Sequence, residues 1–174
     1  MPNPTPEPWL RGPVPDICAI LQPVAHAFLG ADEDLRAAVG DLSPDHAWRR
    51  VGGSASVGFH LMHLAGSTDR LLTYARGETL SGQQMSALAR EGHADEKRPP
   101  VEDLLSDWSG VLEATFLQLR STDETTLAEA RFVGRARLPS TVLGLLFHAA
   151  EHAARHVGQV VTTTKVLGST PEVT

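Results

Sequence analysis

The chain has 174 residues, 41% of them apolar and 21% charged, with few aromatics and a formal charge of −6. That is enough chain for one domain with its own core, and a net negative charge with scattered arginines argues against a nucleic-acid partner. Cys18 is the only cysteine, which excludes a disulfide framework and a thiolate zinc finger and suits a reducing cytoplasm, the expected location.

Residues 1–15 (MPNPTPEPWLRGPVP) carry Pro at about every second position. They read as an extended arm, and no basic run is followed by an apolar one as in a signal peptide. A first helix is expected from Asp16 or Pro23 to Val39, with Leu21, Val24, Ala25, Phe28, Leu35 and Val39 at helical spacing and Gly40 as its end. Ser56 is a natural N-cap for a second helix whose stripe runs through Val57, Leu61, Leu64, Ala65, Thr68, Leu71, Leu72 and Ala75, stopping near Gly77.

Residues 77–98 are polar and read as a long connection with a short helix around Gln83 to Arg90. Pro99-Pro100 followed by Glu102 and Asp103 starts a third helix, because a first-turn Pro costs nothing and acids favour the positive helix end. Residues 126–138 read as extended or irregular. A last helix is expected from Pro139-Ser140 to Val166, with Gly168 as its stop. The resulting fold class is all-α, a four-helix bundle with a long crossover between the second and third helices. It spans residues 16–168, with 169–174 as a C-terminal tail. No apolar stretch reaches the ~18 residues of a membrane span.

Five of the eight histidines fall in two groups, His60 and His63 on the second helix and His148, His152 and His156 on the fourth. Residues four apart on a helix stack one turn above each other, so His152 and His156 can point two imidazoles at one ion. A third ligand from a neighbouring helix would complete a three-nitrogen face and leave positions open, as catalytic metal sites do. His26, His46 and His93 stand alone and read as ordinary polar residues. The stretch His148-Ala149-Ala150-Glu151-His152 matches the inverted zinc-protease pattern, but too little chain follows it for the further acidic ligand. His152 to His156 lacks the general-base Glu of the other protease pattern, since Ala153 stands there.

Two segments, Ser56-Val57-Gly58-Phe59-His60-Leu61-Met62-His63-Leu64-Ala65 and His152-Ala153-Ala154-Arg155-His156-Val157-Gly158-Gln159, resemble the DinB-like family of metal-binding four-helix proteins, which includes YfiT-type proteins. The resemblance covers roughly residues 20–167 and implies that His63, His152 and His156 hold one divalent ion, zinc or nickel first among the candidates. His60 and His148 are additional to that pattern. Each is either an outer hydrogen-bond partner, a substrate-facing acid or base, or a polar residue at the cavity mouth. Gln159 would support packing near the site, and Gly158 would allow close helix approach.

The same resemblance implies a homodimer and a small-molecule substrate. It points to transfer of a low-molecular-weight thiol such as bacillithiol, mycothiol or glutathione to an electrophile, in detoxification or stress. Arg70, Arg135, Arg137 and Arg155 are candidates for the cofactor's carboxylates. The alternatives are a hydrolase acting through metal-bound hydroxide and a metal-binding stress protein without turnover.

Overall fold

The computed structural model describes residues 5–40 and 42–169. The outermost part of the Pro-rich arm (1–4) and the tail from residue 170 onward lie outside the described residues. Of the leader, Pro8–Leu10 form a 3-10 turn with Pro8 buried, packed on the first helix and tied to it by Arg11 and Glu33 at 2.5 Å.

Among the described residues there are seven α-helices and one hairpin. Helix α1 (Gln22–Val39) carries Pro23 in its first turn, where the missing N–H is not needed. Helix α2 (Pro44–Ala47) is a single turn capped by Ser43, inside what reads from sequence as plain connection. Helix α3 (Val57–Ala75) starts on Ser56, whose Oγ accepts from Phe59 N and donates to Asp95 Oδ1 at 2.6 Å. The crossover holds α4 (Gly82–Glu91), fixed by a reciprocal capping box between Ser81 and Gln84, and the single turn α5 (Ala94–Lys97). Helix α6 (Val101–Ser121) and helix α7 (Val142–Ser169) complete the bundle.

Residues 126–138 are more regular than their sequence suggests. Strands β1 (Ala130–Val133) and β2 (Leu138–Thr141) pair antiparallel, Arg131 opposite Ser140 and Phe132 opposite Pro139. Pro139 and Ser140 therefore belong to a strand, and α7 begins at Val142, with Thr141 Oγ1 accepting from Gly144 N at 3.0 Å. Gly168 does not stop this helix, which continues to Ser169.

Helix α7 packs on both α1 and α3, and α3 packs on α6. Trp108 closes the ring by donating from Nε1 to Asp32 Oδ1 of α1 at 2.9 Å. Trp108, Phe28, Leu35, Leu61, Leu64, Leu119 and Leu146 are wholly buried between the four long helices, each contributing about 1.5–3 kcal/mol of burial.

The crossover sets the direction of α6. Asp95 meets the start of α3, whereas near the end of α6 Gln118 bonds Leu72 O and Arg76 at the end of α3. So α3 and α6 run the same way, which is why the connection between them must be long. Helix α7 runs antiparallel to α3, as the histidine pairings show. Among the described residues, no helix is long and apolar enough to cross a membrane.

Candidate metal centre

The antiparallel contact of α3 with α7 assembles the site. On α3, His60 and His63 lie one turn apart. On α7, His148, His152 and His156 follow at four-residue steps, beside a buried stripe of Leu145, Leu146, Ala149, Ala150, Ala153 and Val157. With the helices opposed, His63 Nε2 faces His152 Nε2 at 3.1 Å, and His60 Nδ1 faces His156 Nδ1 at 2.9 Å.

His63, His152 and His156 each offer a ring nitrogen such that all three lie within 4.8 Å of one another. These residues could hold a metal ion. Two nitrogens on one zinc ion, each bound at ~2.0–2.1 Å, stand about 3.3 Å apart across a tetrahedral angle and about 2.9 Å across a right angle. The 3.1 Å between His63 and His152 lies between those values. Phe59 stacks on the His63 ring, 5.6 Å between centroids and 6° between planes, and walls one side.

The electrostatics keep the imidazoles ready to bind. Burial, and then the charge of neighbouring imidazoles, push His156 down to about 4. His152 and His60 are lowered as well, by burial first and then by adjacent histidines. At neutral pH these rings are uncharged, the form in which histidine donates a lone pair to a metal.

The other site candidates separate. His60 is 4% exposed and bonds His156, with Nε2 buried and unpartnered. His148 is half exposed, its ring 5.5 Å from that of His152 and its Nδ1 3.4 Å from Glu151. His26 bonds Gly12 O, and His93 lies with Glu96 on the surface.

Two expectations need correction. Gly158 is exposed, and a Cβ there would meet nothing within 4 Å, so it marks no close helix approach. Gln159 is exposed too, because α7 turns this pair away from its neighbours. Of the arginines, Arg70 is buried and committed to Glu91. Arg135 and Arg137 lie between the hairpin strands, and Arg131 ties that hairpin to Ala75 O at the far end of α3, about three helical turns from His63. Arg155 stays near the triad on α7, paired with Glu151.

Sequence reasoning missed Glu91. Its Oε2 lies 2.7 Å from His63 Nδ1, and its Oε1 accepts from Arg70 Nη1 at 2.5 Å. Burial alone would raise this carboxyl, but the bonds to His63 and Arg70 and the guanidinium charge hold it below the usual range. The one signal in the sequence is Arg70 itself, a charge seven residues after His63 on the same side of α3, which must find an acid if buried.

No functionally curated protein matches the chain. The family model described as DinB superfamily matches residues 27–160, well over half of the sequence and all five clustered histidines. With its helical fold and its three converging imidazoles, the chain belongs to the DinB superfamily.

Proposed function

We propose that this protein is a metal-dependent enzyme in which His63, His152 and His156 hold one divalent ion, zinc or nickel, and which transfers a low-molecular-weight thiol to an electrophilic small molecule. The observation that carries the reading is the convergence of three imidazoles from two antiparallel helices, with burial holding His152 and His156 toward the neutral form. Three ligands from one side leave the remaining positions of the ion open to a substrate. An ion held there acts as a Lewis acid that lowers the pKa of a coordinated thiol or water.

The chain's own residues divide the remaining work. The groups seen bonding to or stacking on the triad are Phe59, His60, Glu91 and His148. They supply walls, hydrogen bonds and proton acceptors, and in this reading the nucleophile comes from a bound molecule. His148, half exposed beside His152, would carry a proton between the site and solvent; its exposure and its nearness to His152 support this reading. His60 is closed off from solvent and is placed to hold His156 instead. Arg155 is the remaining cation near the triad for an anionic cofactor group. The homodimer belongs to the same proposal, and sedimentation at two concentrations reads it directly.

The test is metal content by mass spectrometry on untagged protein beside His63→Ala and His152→Ala. Near one ion per chain, lost in both variants, is the expected result; an unchanged content in the variants would sink the site. Loaded protein is then assayed with bacillithiol, mycothiol or glutathione and a model electrophile, against ester and amide hydrolysis. Turnover that needs no thiol would overturn the transferase reading and favour the hydrolase.

A further inference from the structure

Resting on the metal centre just proposed, we propose that Glu91, on the crossover helix α4, is a positioning residue of that centre. Its carboxylate, fixed by Arg70 and given room by Gly66, holds the His63 ring with Nε2 turned toward the ion.

The geometry is specific. Glu91 reaches His63 Nδ1 at 2.7 Å, and a carboxylate can only accept there. Nδ1 therefore carries a proton toward Glu91, and Nε2, which faces His152, is the nitrogen left to offer a lone pair to an ion. Arg70 bonds both carboxylate oxygens, at 2.5 Å and 3.2 Å, so Glu91 cannot swing away without leaving a buried guanidinium unpaired.

Gly66 completes the arrangement. It follows His63 by three residues and precedes Arg70 by four, on one side of α3. A Cβ at Gly66 would lie 2.3 Å from Glu91 Oε1 and 2.8 Å from Arg70 Nη1. Any larger residue would displace the carboxylate that orients His63. The crossover is thereby part of the metal site, although it supplies no ligand.

The test titrates the full-length protein with Zn²⁺ against a chelating indicator, and with Co²⁺ followed by its visible absorption. Glu91→Gln keeps the shape and removes the charge; it should weaken Zn²⁺ binding about 10- to 100-fold and alter the Co²⁺ spectrum. The double variant Arg70→Met with Glu91→Leu removes both buried charges, so its stability should recover relative to Glu91→Gln while metal binding stays weak. Wild-type affinity and spectrum in Glu91→Gln would overturn the proposal. So would a double variant whose affinity returns along with its stability, since the role would then be structural. His63→Ala separates the two levels. If that variant binds metal like the wild type, the metal centre itself is wrong; if it loses metal while Glu91→Gln does not, only the role of Glu91 fails.

Discussion

Two Arg–Glu pairs stand beside the histidines, one on each side of the site, and they differ in almost everything but composition. On the α3 side, Arg70 and Glu91 are 10% and 6% exposed, come from different helices, and reach His63 through the Glu91 carboxylate. On the α7 side, Arg155 and Glu151 are 55% and 38% exposed and sit four residues apart on one helix. The first pair is locked, because breaking it strands a charge away from water. The second is a solvated surface contact of the kind that contributes little to stability. Burial, and not the presence of an ion pair, decides which arginine near a site can be spared for a ligand.

The comparison breaks most visibly if the buried pair is cut. Glu91→Ala should destabilise the metal-free protein by about 3–5 kcal/mol, since Arg70 is left buried without a partner. Urea unfolding reads this, and a wild-type midpoint would mean that Arg70 finds water or another acceptor.

Acid should act next. His156 is held at about 4 in the fold against an ordinary 6.5, and His60 and His152 are shifted the same way. Between those values the unfolded chain binds protons that the folded chain refuses, so stability is full above pH 6.5 and falls progressively down to about pH 4. Urea midpoints of metal-free protein at pH 7, 5.5 and 4.5 should fall in that order. A flat profile would show that the rings are not held neutral.

Gly66→Ala sharpens the comparison from the α3 side. Alanine ordinarily stabilises a helix interior relative to glycine, yet here its Cβ meets the Glu91 carboxylate. The expected outcome is a net loss of about 1–3 kcal/mol from overpacking, read by thermal unfolding. A gain would show that α4 yields freely.

The smallest effect belongs to the α7 pair. Arg155→Ala should leave the unfolding midpoint unchanged within error, and a large drop would erase the contrast between the two sides.

The helices were legible because their apolar residues repeat at the helical period, and the His152–His156 pair because the two share one side of α7, whereas His63 joined them only through the family resemblance. The hairpin was obscured by its four-residue strands, by Pro139 inside one of them, and by Arg137 at a positive φ of 49° in the turn. Glu91 was illegible for a different reason. It ends a surface helix among many polar residues, and only the folding of the crossover against α3 makes it differ from Glu78 or Glu96. Arg70 offered a clue that pointed to the wrong partner: it reads as a spare cation for a cofactor until its burial is known. Gly158 and Gln159 mark the opposite error, since they stand close to His156 in sequence but face outward in space.

The parallel course of α3 and α6 has a consequence for the time at which the site comes into being. During synthesis the chain emerges from its N-terminus, so α3 and the crossover appear well before α7. His63 can meet Glu91 across 28 residues, but His152 lies 89 residues beyond it. Until the final helix leaves the ribosome and docks, the nascent chain carries His63 without its two partners from α7. An ion held by the proposed triad would therefore be captured only at the last event of folding, and a chain stalled before α7 would lack two of the three imidazoles.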